Sequence, residues 1–146
     1  HSAGAHIAAM LANDRQWLGE HHEAILGLVG LAGPYDFAPF DTDASIAAFG
    51  QWPRVEETQP VTHASESSPP ALLLTGADDT TVKPRNSTAL SSALEAEGIP
   101  AEMISFAGLG HIDILIALSR PMRGRAPVLE ETVEFVERVT SRPPLD

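Results

Sequence analysis

Ala71-Leu72-Leu73-Leu74-Thr75-Gly76-Ala77-Asp78-Asp79 carries the reading of the fold. Ala71 to Thr75 is a short apolar run of the kind that forms a strand buried on both faces, as in a parallel sheet. Gly76 closes it. The turn that follows holds two carboxylates at the carboxyl end of the strand, where α/β folds place their sites. Working outward, Ala24-Ile25-Leu26-Gly27-Leu28-Val29-Gly30-Leu31 is an earlier buried-type strand, stopped by Gly33-Pro34. On the other side, Pro84 to Glu97 reads as a helix, with Leu90 and Leu94 on its apolar stripe and Gly98 at its stop. Ala101 to Phe106 reads as a third strand.

The remaining segments fill in around these strands. Residues 4–13 read as a helix, because Ile7, Met10 and Leu11 recur at helical spacing among alanines. Trp17 to Glu23 reads as a polar connector. Residues 32–70 form a long connection rich in Pro, Ser, Asp and Thr, and such length usually marks a lid or binding surface. A cap is therefore expected at residues 34–68, with short helices near Asp43–Phe49 and Pro60–Ala64. Another short helix is expected at Asp113–Leu118. A last helix is expected at Pro127–Val139, with Val128, Leu129, Val133, Phe135 and Val136 on its buried side. Buried strands alternating with helices predict a parallel α/β sheet flanked by helices. The first strand is expected to expose an edge, which a buried-type strand does not tolerate uncovered.

Composition narrows the function. Apolar residues make up 43% of the 146 and charged residues 20%, the balance of a globular domain. A net charge of -11 opposes binding to nucleic acid and to anionic membranes. No apolar run reaches the ~20 residues of a membrane span. The absence of cysteine excludes disulfides, thiolate nucleophiles and Cys-type zinc sites. It leaves the compartment open, with the cytoplasm favoured.

Three features fall into an order that suits nucleophilic catalysis. A serine hydroxyl needs a base within hydrogen-bond reach and a third group to orient that base. His1-Ser2-Ala3-Gly4 matches four positions of the Gly-x-Ser-x-Gly nucleophile elbow, and a helix follows at once. The leading Gly falls before His1, so the chain is expected to begin inside a longer protein. Ala3 N–H, at the start of that helix, is placed to meet an oxyanion. A helix-capping serine would account for Ser2 taken alone. Asp78 and Asp79 follow the second strand. His111, in Gly108-Leu109-Gly110-His111, follows the third. Each feature is weak by itself, and their order and strand-end positions make the case.

The chain resembles bacterial α/β-hydrolase-fold carboxylesterases, a broad group with feruloyl-esterase-like and lipase-like members. The resemblance runs through His1-Ser2-Ala3-Gly4-Ala5-His6-Ile7-Ala8-Ala9 and Gly30-Leu31-Ala32-Gly33-Pro34-Tyr35-Asp36-Phe37. It continues in Gly76-x-x-Asp79-x-x-Val82-Lys83-Pro84-Arg85-Asn86-Ser87, Gly110-His111, Ser119-Arg120-Pro121 and Arg125-Ala126-Pro127-Val128-Leu129. It implies Ser2 as nucleophile, Asp79 rather than Asp78 as the acid, and His111 as general base, with no metal or organic cofactor. It also implies that these are the last three strands of the sheet, so the chain would be the C-terminal part of that fold. The central strand and a His-Gly-Gly-Gly type oxyanion motif would lie upstream.

Tyr35, Phe37 and Trp52 are expected to contact substrate, within an aromatic cluster that includes Phe40 and Phe49. Packing of the excursion onto the body would account for them equally. His6 is expected to pack against a neighbouring helix, with a place lining the site as the alternative, and His63 to lie at the surface. His21 and His22 are not expected to form a metal site. Arg120, Arg123 and Arg125 are expected to pair with surface carboxylates, with contact to an acidic end of a substrate as the alternative. The leading expectation is a serine carboxylesterase whose partner is a small-molecule ester. Alternatives are an amidase, arylformamidase-like enzyme or peptidase with the same triad, and an inactive fragment or half of a two-chain assembly. The open strand edge would then meet the N-terminal half or a second copy of the chain.

Overall fold

A computed structural model describes residues 1–141. The elements are α1 (Ala3–Asn13), β1 (Leu28–Leu31), α2 (Asp43–Phe49), β2 (Ala71–Gly76), α3 (Arg85–Ala96), β3 (Ala101–Phe106), α4 (Asp113–Ile116) and α5 (Val128–Thr140). The three strands form one parallel sheet in the order β1-β2-β3. Leu31 pairs with Leu74, and Leu74 with Ile104. The carboxyl ends of all three strands therefore open onto the same edge.

All six residues of β2 are buried, as its composition predicts for a central strand. Alternation sends its side chains to opposite faces. Leu72 and Leu74 join Leu31, Ile114, Val128 and Phe135 beneath α4 and α5. Ala71 and Leu73 join Ala5, Ala9, Tyr35, Leu90 and Leu94 beneath α1 and α3. Each fully buried leucine contributes about 1.5–3 kcal/mol over its exposed state. The alanines of α1 let that helix lie close to the sheet.

Several boundaries differ from the sequence expectation. The apolar run at residues 24–31 is a strand only from Leu28, and Leu26 is 55% exposed. A 3-10 turn at Gly19–Ala24 occupies most of the expected polar connector. It turns the chain so that His22 is buried and hydrogen-bonds the Ala12 carbonyl at 2.8 Å. The expected helix at Pro60–Ala64 is a 3-10 turn, Pro60–His63. On α5, Val133 and Val136 are exposed and only Val128 and Phe135 are buried, because the helix meets the sheet along a narrow strip. His63 is not a free surface side chain. Its Nε2 meets the Glu57 carbonyl at 3.0 Å and its Nδ1 lies 3.4 Å from Asp14. Among the described residues no helix is long and apolar enough to cross a membrane.

The excursion between β1 and β2 is tied down by polar side chains. Asn86 Oδ1, on α3, accepts the N–H groups of Tyr35 and Asp36 at 3.0 and 2.9 Å. Gln59 Oε1 accepts those of Phe37 and Ala38. His6 Nε2, on α1, donates to the Thr58 carbonyl at 2.8 Å. Burial holds His6 below the ordinary histidine range, and the Thr58 contact offsets only part of this.

Two predictions follow from this packing. A Cβ on Gly76 would lie 2.1 Å from the Leu109 carbonyl oxygen, a backbone atom that cannot swing away. Gly76→Ala is therefore expected to cost about 1–3 kcal/mol, read as a lower urea midpoint. The depressed His6 pKa means that the unfolded chain binds the extra proton. Stability is thus present above about pH 6.5 and declines as the pH falls below it. His6→Gln keeps a donor for Thr58 without a titrating ring. It is expected to flatten that part of the stability–pH curve.

Candidate active site

Ser2 sits in a strained turn. Its φ of 53° and ψ of -126° are rare for a residue with a side chain, and such a conformation costs about 1–3 kcal/mol where it persists. Its N–H donates to the Leu31 carbonyl at the end of β1, at 2.9 Å. Its carbonyl accepts the Ala5 and His6 N–H groups of the first helical turn. The backbone is thus fixed to the sheet on one side and to α1 on the other. The hydroxyl makes no capping bond to the helix, which sets aside the helix-cap explanation of this serine.

Asp79 lies in the turn after β2 with its side chain fully closed from solvent. Oδ1 accepts the Thr81 and Val82 N–H groups at 2.9 and 2.8 Å, and Oδ2 faces His111 Nδ1 at 2.7 Å. Asp78 is exposed. Burial and three converging donors distinguish Asp79 from its neighbour, in line with the choice that the resemblance implies.

His111 closes the arrangement. Its Nε2 lies 2.9 Å from Ser2 Oγ. With Nδ1–H donating to Asp79, Nε2 is left to accept the serine proton. The loop that carries His111 is held in place by its neighbours. The Asp78 N–H donates to the Leu109 carbonyl at 3.0 Å, and Gly110 N–H donates to Asp113 Oδ2 at 2.9 Å. The other oxygen of Asp113 pairs with Arg125. The Gly110 N–H, and then Arg125, hold the Asp113 carboxyl below the usual range. Gly108, at φ 75°, supplies the left-handed turn that brings the loop round.

A cavity of about 460 Å³ opens at Ser2. Ala3, His6, Ile7, Phe37, Phe49 and Val82 are among its walls, so the surface is mainly apolar. Ala3 is the first residue of α1, where helix N–H groups lack partners within the helix. Phe37 packs 5.4 Å from His6 and 5.6 Å from both Phe40 and Phe49, ring centre to ring centre.

Two expected contact residues lie elsewhere. Tyr35 has 0% exposure and packs against Gly30 and Gly33 at the root of the excursion. Burial drives its phenol pKa upward. It is a core residue, and its ring occupies space that a side chain at either glycine would fill. Trp52 is half exposed, with Nε1 donating to Glu57 at 3.1 Å. It lines an adjoining apolar groove with Trp17, Met10 and Leu11 rather than the Ser2 cavity. His6, Ile7 and Phe49 line both. Sequence reasoning missed Asn86 and Gln59 as anchors of the cavity wall. A lone amide in a polar stretch carries no signal of the backbone it will meet. Among the described residues, no three His, Asp or Glu side chains are grouped to hold a metal.

Known proteins bear on this arrangement in two ways. The profile of the prolyl oligopeptidase family matches residues 1–142. No curated protein matches the sequence. Among solved structures, a truncated carbohydrate esterase from gut microbiota superposes with a TM-score of 0.75 at 19% identity, over 97% of this chain and 58% of that one. The apo form of Thermogutta terrifontis esterase 2 gives 0.70 at 20% identity, over 99% and 55%. An acetyl ester-xyloside bifunctional hydrolase from Caldicellulosiruptor lactoaceticus gives 0.69 at 23% identity, over 92% and 54%. The chain thus spans a little over half the length of each. At these identities the likeness establishes the α/β-hydrolase fold. With the profile matching from residue 1 to residue 142, the chain belongs to the prolyl oligopeptidase family.

Proposed function

We propose that this chain carries the acyl-transfer centre of a serine carboxylesterase acting on small carboxylic esters. The observation that carries the reading is the unbroken hydrogen-bonded line from the buried Asp79 through His111 to the strained Ser2. Ser2 Oγ attacks the ester carbonyl as His111 Nε2 takes its proton. Asp79 fixes the tautomer of the imidazole and stabilises the cation that forms. The oxyanion is met by Ala3 N–H, together with donors that the resemblance expects upstream. His111 returns the proton to the leaving alkoxide, which departs as the alcohol. Water, activated by the same histidine, then releases the acid and restores Ser2. The apolar walls at Phe37, Phe49 and Val82 suit the carbon skeleton of a small ester. No step calls for a metal or an organic cofactor.

A second reading, amide or peptide cleavage by the same groups, draws support from the family's name. The two differ in leaving group. A matched pair of chromogenic ester and anilide with the same acyl part separates them. The ester is expected to be cleaved faster, and a faster anilide would favour the amidase.

Three substitutions in the full-length protein test the assignment. Ser2→Ala is expected to lower kcat on the ester by at least about 10³-fold. Unchanged hydrolysis would sink the reading. Asp79→Asn retains the shape but favours the wrong tautomer, and a loss of about 10⁴-fold in kcat is expected. Asp78→Asn alters an exposed carboxylate outside the line, and kcat is expected to stay within about twofold.

A further inference from the structure

His1, the residue before the nucleophile, reaches across to the base. Its Nε2 lies 2.8 Å from the backbone carbonyl oxygen of His111, in a part-buried contact between residues 110 positions apart. The two imidazoles lie against each other with centroids 4.7 Å apart and planes tilted by 43°. Nothing in the acyl-transfer scheme uses this side chain.

The contact differs from the other restraints on the base loop. Leu109 is tied to the turn after β2, and Gly110 to Asp113 on α4. Neither reaches the turn that carries Ser2. Among the described residues, the bond from His1 is the one that joins the backbone of His111 to the turn carrying Ser2. Distance between base and nucleophile is set by how these two turns sit together. A bond that spans them controls it more directly than bonds behind the loop.

We propose that His1 is a positioning residue. Its Nε2–H clamps the His111 carbonyl to the nucleophile turn, and its ring walls one side of the catalytic imidazole, so that His111 Nε2 stays on Ser2 Oγ. This rests on the reading of Ser2 and His111 as nucleophile and base. His1 acts through His111 and touches no reacting atom. The clamp requires a neutral or charged ring with hydrogen on Nε2, and either form donates. The chemical requirement is a donor at that reach. A glutamine amide meets it, whereas leucine fills similar space without a donor.

The test uses the full-length protein carrying His1→Leu, His1→Gln or His1→Asn, the last too short to reach the carbonyl. Steady-state kinetics on a chromogenic acetate ester are read beside the downfield proton NMR signal of the His111 Nδ1–H. Loss of one hydrogen bond is expected to lower kcat about tenfold in His1→Leu and His1→Asn. KM should stay within about twofold, since the clamp acts on chemistry rather than on binding. The downfield signal should shift or broaden in both, and His1→Gln should recover most of kcat together with the signal. Thermal melts identify any variant that fails to fold, and the others then decide. Wild-type kcat in His1→Leu and His1→Asn, or equal losses in all three variants with an unmoved signal, would overturn the clamp. Either result leaves the role of Ser2 standing, because that depends on Ser2→Ala alone.

Discussion

One imidazole must meet two oxygens carried by two other turns, and the rest of the structure serves that demand. His111 lies 2.7 Å from Asp79 and 2.9 Å from Ser2. A hydrogen bond weakens steeply beyond this range. Three separate stretches of chain must therefore agree in position to a few tenths of an ångström. Parallel pairing in register achieves this for the turns after β2 and β3 by bringing the carboxyl ends of both strands to one edge. The bond from Ser2 N–H to Leu31 brings the third turn to the same edge.

The packing explains how so fine a tolerance is kept. β2 is buried on both faces, so neither helical layer can slide without opening a gap at Leu72, Leu73 or Leu74. Gly76 lets the loop that carries His111 lie directly on the strand end. The strain at Ser2 persists because sheet and helix both hold its backbone. The excursion adds the apolar wall, and its fastening is polar: two side-chain amides and one histidine satisfy backbone groups that would otherwise be orphaned at its root.

Much of this is legible in the sequence, for stated physical reasons. Ala71 to Leu74 announces a doubly buried strand because no polar side chain interrupts it. The order of serine, acid and histidine, each beside a tight turn, marks the three groups that the structure brings into hydrogen-bond contact. What fails is instructive. Residues 24–31 look like one strand, but apolar character cannot say where a turn ends and pairing begins. Tyr35 and Trp52 have the right chemistry for a pocket wall. Their positions are decided by Gly30, Gly33 and Glu57, contacts that composition does not encode. Asp79 is preferred to Asp78 on resemblance, and what the sequence does not show is the burial and the three donors that meet Asp79. Asn86, Gln59 and His1 hydrogen-bond backbone groups distant in sequence, and nothing local signals that.

Membership of the prolyl oligopeptidase family and the α/β-hydrolase fold set the frame, while the chain spans a little over half the length of the structures it resembles. The centre of the proposal is that Ser2 is a nucleophile. Intact-mass and peptide mass spectrometry of the full-length protein, after treatment with a fluorophosphonate probe, addresses this directly. A single adduct located on Ser2 is the expected result. An adduct on a different serine, or none on a preparation that hydrolyses esters, would contradict it.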